Sequence, residues 1–173
     1  TGAEYLLHPG TWGGVDYAGL ACDALARLPG GSPAVRLGEI EHDAPEADPT
    51  DLVPAEPDPH LAAWVFFTSG SSGRPKGARH SDTSLLVPAR AFGGIGELGT
   101  QPGELGGVGY PVAHVGGIEF LISALCCGFP LLLLDRFVPD QAVALYRRHG
   151  VTTTGGGPPF YRALVALARA RPG

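Results

Sequence analysis

The sequence predicts an α/β fold in which a mainly parallel sheet is flanked by helices. Apolar runs of strand length alternate with longer runs of helical spacing, as they do when helices connect successive parallel strands. Residues 62–67 (AAWVFF) are apolar at every position, which is typical of a strand covered on both faces. Residues 151–154 (VTTT) are dominated by β-branched side chains and favour another strand.

The N-terminal part predicts two strands around one helix. Residues 5–7 predict a short strand that ends at a His-Pro-Gly turn. Asp16 can cap a helix over residues 17–28, where apolar residues recur at helical spacing before a Pro-Gly-Gly sequence ends it. Residues 34–37 predict the second strand.

The acidic charge of the chain is concentrated in one segment. The 173 residues carry a net charge of −5, yet eight of the seventeen acids lie between residues 39 and 58, where Lys and Arg are absent. The segment 39–60 also holds five prolines. This composition predicts an extended, solvated linker that does not pack, with a functional acidic segment as the alternative.

The middle of the chain predicts a strand, a glycine-rich loop and a helix. The strand is residues 62–67, and Ser81 or Asp82 can cap the following helix, which runs to roughly Arg90. Pro88 fits poorly inside a helix, so we expect a kink or an early end there.

The C-terminal half continues the alternation of strands and helices. The pattern predicts a strand end at 108–111, an apolar helix over 118–127, a buried strand at 131–134, a helix that Asp140 caps and Gly150 stops, a strand at 151–154 and a helix over 160–169. Since each strand is followed by a helix, these elements fit one α/β sheet.

Several classes of function find no support in the sequence. The most apolar stretch, residues 119–136, is interrupted by Gly-Phe-Pro and is too short to predict a transmembrane segment, and no signal peptide heads the chain. Three cysteines without a CxxC spacing indicate a reducing, cytoplasmic setting, with the vicinal pair Cys126 and Cys127 as small core residues. No Cys/His cluster predicts a protein metal site, and no interleaved basic and aromatic residues predict nucleic-acid binding.

The glycine-rich loop after the strand at 62–67 is made of groups that attract anions. Residues 68–72 (TSGSS) offer four hydroxyls, Gly70 and Gly73 can take positive φ, and Lys76 adds a charge, with Arg74 and Arg79 nearby. In open α/β sheets, ligands bind beyond the carboxyl ends of the strands. The loop therefore predicts a site for a polyanion such as a nucleoside triphosphate.

Two similar motifs are excluded by their surroundings. The loop is not a Walker A motif, because Pro75 precedes Lys76 and Gly77 stands where a hydroxyl would hold magnesium. Residues 94–99 form a GxGxxG pattern, but no clear strand precedes it and no helix follows it.

Residues 67–77 (FTSGSSGRPKG) resemble the phosphate-loop signature of the adenylate-forming superfamily at every position. This superfamily contains acyl-CoA synthetases, adenylation domains of peptide synthetases and luciferases. Residues 110–117 (YPVAHVGG) resemble its next motif, and residues 135–137 (DRF) follow in the family's order. The turn at 155–160 (GGGPPF) looks most like that of acyl-CoA ligases.

The resemblance implies a reaction in two steps. A carboxylate attacks the α-phosphorus of ATP to give an acyl-adenylate, and coenzyme A then displaces AMP to give a thioester, with Mg²⁺ accompanying ATP. It implies a catalytic role for Lys76, which would neutralise phosphate charge, and for His114, which would orient the carboxylate. The implied phosphate-binding residues are Thr68, Ser69, Gly70, Ser71, Ser72, Gly73 and Lys76. The implied acyl pocket comprises His114, Val115, Gly116, Gly117, Gly155, Gly156 and Gly157.

The chain also departs from the family pattern. The later family motifs and the catalytic Lys of a small C-terminal domain have no counterpart here, so residues 1–173 are expected to be part of the large N-terminal domain. The remainder of the same polypeptide is then its partner, and we expect no turnover from this piece alone. Asp82 stands near the position where relatives often carry a second His after His80.

Two other functions stay open at the level of sequence. One is a peptide-synthetase adenylation domain that loads a carrier protein, because the residue that would discriminate it lies downstream of this region. The other is a nucleotide-binding remnant without catalysis. The acid and its chain length are not specified by any residue singled out above.

Overall fold

The computed structural model describes residues 3–28, 35–40, 48, 50, 58, 61–68 and 73–170. The chain divides into two compact units, Thr1–Ala55 and Glu56–Gly173. Most of the acidic segment 39–60 lies outside the described residues, so its role as a linker stays a prediction, as does the assignment of the whole chain to one partial domain.

Among its described residues, the first unit contains four short strands and one helix. These are β1 (Tyr5–His8), β2 (Thr11–Trp12), β3 (Val15–Asp16), α1 (Tyr17–Ala26) and β4 (Arg36–Glu39). Strands β1 and β4 pair in parallel, and β2 and β3 form an antiparallel hairpin. The predicted cap of α1 is confirmed, because the Asp16 carboxylate accepts a hydrogen bond of 2.9 Å from the backbone N–H of Gly19.

The second unit contains five strands and four helices among its described residues. They are β5 (Trp64–Thr68), β6 (Lys76–His80), α2 (Asp82–Ile95), β7 (Gly106–Val108), α3 (Val115–Cys127), β8 (Leu131–Leu133), α4 (Pro139–His149), β9 (Thr153–Gly155) and α5 (Pro158–Ala170). The predicted alternation of strands and helices is thereby confirmed, with boundaries that differ by a few residues.

A three-stranded parallel sheet forms the centre of the second unit. Its order is β8–β7–β9, with Val108 opposite Leu133 on one side and Gly155 on the other. All three residues of β7 are buried, and Val108 packs in a cluster with Leu98, Phe120, Ala124 and Phe129. Burial of this apolar surface stabilises the sheet and fixes the position of α3 against it.

The expectation for the strand at 62–67 is wrong in two respects. Strand β5 pairs in antiparallel orientation with β6, and Phe67 remains 60 % exposed. Apolar residues at every position therefore do not mark a central parallel strand here. Strand β6 was itself missed, because Lys76-Gly-Ala-Arg-His lacks the β-branched residues that signal a strand.

Helix α2 runs through its proline. Ser81 is the N-cap, as predicted, and its hydroxyl accepts a hydrogen bond of 3.2 Å from the backbone N–H of Ser84. The helix continues past Pro88 to Ile95, so the predicted early end is wrong. Packing against α3 supports it, since the buried Ser123 hydroxyl on α3 lies 2.8 Å from the carbonyl oxygen of Ala89.

Three smaller expectations need correction. Val138, not Asp140, is the N-cap of α4, and Asp140 lies in the first turn, where its charge favours the helix dipole. Leu133 of β8 is 54 % exposed, so that strand is not fully buried. Cys126 is exposed and is not a core residue.

Two other expectations for the second unit, on Gly150 and on residues 94–99, are confirmed. Gly150 ends α4 with a φ of 70°. Gly94 lies inside α2, so the GxGxxG pattern begins within the last turn of a helix and not after a strand. None of the described helices is both long enough and apolar enough to cross a membrane.

Candidate functional site

The β5–β6 hairpin presents one face that carries both Thr68 and Lys76. These residues are direct cross-strand partners, and the Thr68 hydroxyl lies 3.5 Å from the carbonyl oxygen of Lys76. Directly opposite residues of an antiparallel pair project to the same side. Lys76 therefore shares its face with Thr68 and with the next pair on that side, Phe66 and Ala78.

The register separates the cations that the sequence brought together. Arg79 pairs with Val65 and lies three positions after Lys76 on β6. Because side chains alternate along a strand, Arg79 projects from the opposite face of the hairpin. The expectation that Arg79 adds to the charge at Lys76 is therefore wrong.

The phosphate loop is described only at its two ends. Gly73 has a φ of 78°, as predicted for a turn that brings backbone N–H groups towards a ligand. Ser69, Gly70, Ser71 and Ser72 lie outside the described residues, so their role stays a prediction. Across the part of the chain that is described, no three His, Cys, Asp or Glu side chains form a group that could hold a metal ion.

His114 caps helix α3 through its ring. Its backbone is extended, and Nδ1 accepts a hydrogen bond of 3.1 Å from the N–H of Gly116. Because Nδ1 acts as the acceptor, the proton of a neutral imidazole lies on Nε2. The ring also stacks on Tyr110 at 5.9 Å between centroids, with an angle of 6° between the planes.

A cavity of about 260 Å³ joins the hairpin to the start of α3. This space is called the hairpin cavity below. Its lining includes Thr68 and Ala78 from the hairpin and His114 and Val115 from the α3 start. The structure thus brings together three of the predicted site residues, Thr68, His114 and Val115, and places Lys76 on the hairpin face that borders the cavity.

A second cavity of about 190 Å³ lies between α2, α3, β9 and α5. This space is called the aromatic cavity, because four of its eight lining residues are aromatic. The lining is Phe92, Tyr110, Gly116, Glu119, Phe120, Gly155, Gly156 and Tyr161. Three of the glycines predicted for an acyl pocket therefore lie around one space.

The other two predicted pocket glycines have visible structural roles. A Cβ on Gly117 would collide with the backbone of Pro111, so this glycine allows α3 to start close to the preceding turn. The carbonyl of Gly157 accepts a hydrogen bond of 3.0 Å from the N–H of Phe160 and turns the chain into α5.

Tyr110 connects the two cavities. Its ring stacks on His114 at the hairpin cavity and also lines the aromatic cavity. Burial raises the pKa of Tyr110, and the neighbouring Tyr161 adds to the rise, so the hydroxyl stays a hydrogen-bond donor across the neutral range.

Sequence reasoning missed Tyr110 and Glu119 as site residues. Glu119 is the sole charged residue of α3, whose other twelve residues are apolar, glycine or serine. A single acid within an apolar helix is the signal that could have found it, because a buried or half-buried carboxylate needs a partner.

Comparisons with known proteins agree on one family. The family model for AMP-binding enzymes matches residues 24–172. A feruloyl-CoA synthase from Amycolatopsis sp is 28 % identical over 172 residues, which are 99 % of this chain and 32 % of that protein. A fatty acid–[acyl-carrier-protein] ligase from Streptomyces coeruleorubidus is 28 % identical over 118 residues, which are 67 % of this chain and 23 % of that protein.

The fold also matches a solved structure over nearly the whole chain. The O-succinylbenzoate coenzyme A synthetase from Bacillus subtilis, in complex with ATP and magnesium ion, superimposes with a TM-score of 0.70 at 19 % identity. The match covers 98 % of this chain and 32 % of that one. The chain therefore spans a third or less of each of these three proteins.

Proposed function

Because the chain belongs to the AMP-binding enzyme family, whose model matches residues 24–172, we propose that it contributes to ATP-dependent activation of a carboxylic acid. The product would be an acyl-adenylate, and a thiol would then displace AMP to give a thioester. The observation that carries the proposal is the hairpin cavity, where Thr68 from one signature meets His114 from the other.

The hairpin supplies the phosphate end of the site. Lys76 projects from the same face as Thr68, and no ion pair with an acid is found for it among the described residues. An ammonium without a carboxylate partner is available to neutralise charge on the β- and γ-phosphates as it builds in the transition state. Thr68 would add a hydroxyl donor, and Ser69 to Gly73 would complete the loop around the same phosphates.

His114 supplies the carboxylate end. Its Nδ1 is held by the N–H of Gly116, which leaves the opposite ring nitrogen to donate to an anion. A donor at that position would orient the acid, which is already an anionic nucleophile and needs no general base. Orientation of two bound reactants lowers the barrier by removing translational and rotational freedom beforehand.

The described residues fit MgATP as a substrate better than a resident metal. The hairpin face offers a hydroxyl and a cation but, among its described residues, no carboxylate, which is the side chain through which proteins most often hold Mg²⁺. Magnesium would therefore enter with ATP and be held mostly by phosphate and water. Coenzyme A is the proposed thiol. The cytoplasm is the proposed compartment, because ATP and coenzyme A are both abundant there.

A carrier protein is the second candidate for the thiol. A relative that is 28 % identical over 118 residues is a fatty acid–[acyl-carrier-protein] ligase, which favours this acceptor as the alternative. Thioester formation by the full-length protein with coenzyme A, and separately with a phosphopantetheinylated carrier, distinguishes the two. Binding of ATP without pyrophosphate exchange in the presence of any acid would show that the protein is a non-catalytic nucleotide-binding remnant.

The test uses the full-length protein and acid-dependent exchange of pyrophosphate into ATP. Lys76→Ala is expected to slow exchange by about 1–3 kcal/mol in activation free energy, as expected for one lost charged contact. Arg79→Ala is the matched control, because it removes a cation from the opposite face of the same hairpin. It should leave the rate within about twofold of the parent, which corresponds to roughly 0.4 kcal/mol.

Two results would contradict the proposal. Equal exchange by Lys76→Ala and the parent would remove the phosphate role of the hairpin face. Equal losses in Lys76→Ala and Arg79→Ala would show that net charge, and not the face that Lys76 occupies, sets the rate.

A further inference from the structure

We propose that the aromatic cavity binds the acyl part of the substrate and selects an aromatic acid with a hydrogen-bond donor on its ring, which Glu119 recognises. This inference rests on the proposed function, because it concerns the acid that is activated. Glu119 is the one charged residue in the lining of this cavity.

The size and walls of the cavity fit one substituted ring. A dry cavity of about 150 Å³ accommodates benzene, and the aromatic cavity has a volume of about 190 Å³. Phe92 and Phe120 form one side at 5.6 Å between centroids, and Tyr110 and Tyr161 complete the aromatic lining. Aromatic lining residues favour a planar ligand ring that can stack on them or contact them edge to face.

Glycines keep the remaining wall open. Gly116, Gly155 and Gly156 line the cavity without side chains. A Cβ on Gly155 would lie 2.9 Å from the Phe120 ring, so even alanine would press into the space that a ring needs. The cavity is therefore shaped by residues that leave room between aromatic planes.

Glu119 lies one helical turn beyond the residue that His114 holds. Gly116 donates its N–H to His114 and also lines the aromatic cavity, and Glu119 follows it three positions later on α3. Three residues of α-helix advance about 4.5 Å, so Glu119 lies one turn further along α3 than Gly116, and Tyr110, which stacks on His114, lines the same cavity. An acid whose carboxylate reaches His114 would direct its distal atoms towards Glu119.

The Glu119 carboxylate is half-buried and needs a partner. No hydrogen bond or ion pair of this side chain is found in the part of the chain that the structure describes. A bound alkyl chain would displace water from the carboxylate and give nothing in return, which is costly. A phenolic hydroxyl would instead donate a charge-assisted hydrogen bond, and a second substrate carboxylate would be repelled.

The test measures acid-dependent pyrophosphate exchange by the full-length protein with five acids: benzoate, meta-hydroxybenzoate, para-hydroxybenzoate, terephthalate and octanoate. The wild type should prefer the better hydroxybenzoate over benzoate by about tenfold or more in kcat/KM, the range of a hydrogen bond to a charged group. Terephthalate should be the poorest aromatic acid. Since benzoate lacks the donor but fits the cavity, it is the reference for every variant.

Two variants separate recognition from general damage. Glu119→Ala should bring the hydroxybenzoate to benzoate ratio to within about twofold of one while benzoate itself is retained, and Glu119→Gln should raise the rate with terephthalate by about tenfold. Glu97→Gln is the control for lost charge, because Glu97 is exposed beyond the end of α2. It should change no ratio.

Each outcome decides between this inference and the proposed function. Exchange with octanoate but with no aromatic acid would overturn the inference and leave the proposed function standing. Exchange with no acid of any class would contradict the proposed function itself. Unchanged hydroxybenzoate to benzoate ratios in Glu119→Ala would also overturn the role of Glu119, whatever the absolute rates.

Discussion

His114 has two roles that a single substitution would confuse. Its Nδ1 accepts the hydrogen bond of 3.1 Å that starts α3, and its other ring nitrogen is proposed to meet the substrate carboxylate. The first role affects the free energy of unfolding and the second affects turnover. Asparagine separates them, because it is among the best N-cap residues but lacks an imidazole.

We therefore expect His114→Asn and His114→Ala to differ in stability but not in activity. Alanine should lower the free energy of unfolding by about 1 kcal/mol, whereas asparagine should leave it nearly unchanged. Both should reduce kcat/KM for the acid by about tenfold or more, since both remove the donor at Nε2. Chemical denaturation and pyrophosphate exchange measure the two effects separately. A wild-type exchange rate in His114→Asn would show that the imidazole serves only as a cap.

At the scale of single residues, the sequence indicated which residues could bind phosphate but not the face of the hairpin from which each side chain projects. The signature around Lys76 predicts a cation for phosphate, which stays a prediction, and the structure pairs Lys76 with Thr68 across the hairpin. The sequence also grouped Arg79 with Lys76. Only the register of β5 and β6 places them on opposite faces, because side chains alternate along a strand.

Among the elements, three helix ends were predicted correctly because a single residue's own chemistry sets each of them, whereas the start of α4 and the end of α2 were not. Asp16 and Ser81 cap α1 and α2 through their own side chains, and Gly150 ends α4. The interior of α2 was predicted less well. Helix α2 continues through Pro88 because tertiary packing against α3 outweighs the lost backbone hydrogen bond, a contribution that no local pattern contains.

Two glycines allow the backbone contribution to be measured on these elements. Gly150 has a φ of 70°, whereas Gly94 lies inside α2, and a Cβ on either would meet nothing within 4 Å. We expect Gly150→Ala to lower the free energy of unfolding by about 1–2 kcal/mol through strain in the left-handed region. Gly94→Ala should raise it by about 0.5–1 kcal/mol, because alanine loses less backbone entropy in a helix.

Chemical denaturation of the two variants beside the parent gives both values. Since neither methyl group makes a new contact, the difference between the variants reports backbone conformation alone. Opposite signs are the expected result. A Gly150→Ala variant as stable as the parent would show that the backbone at the C-terminus of α4 relaxes out of the left-handed region.

On the scale of the whole molecule, the question is how much of the reaction this chain can perform. It spans 32 % of the feruloyl-CoA synthase and 23 % of the acyl-carrier-protein ligase that it resembles. We expect residues 1–173 by themselves to form no thioester from ATP, acid and coenzyme A, while the full-length protein forms it. Mass spectrometry of the acyl-CoA product is the measurement, and a measurable yield from residues 1–173 would contradict the expectation.

The sequence by itself determined the α/β alternation, the caps of α1 and α2, and the two signatures at 67–77 and 110–117. These follow from periodicity and from residues whose chemistry acts on their own neighbours. Tertiary structure alone decided the pairing of β5 with β6, the separation of Arg79 from Lys76, and the cavity that gathers Glu119 with Tyr110 and three glycines. Those features arise from contacts between residues far apart in the chain, and no local pattern encodes which partner a strand or a side chain will meet.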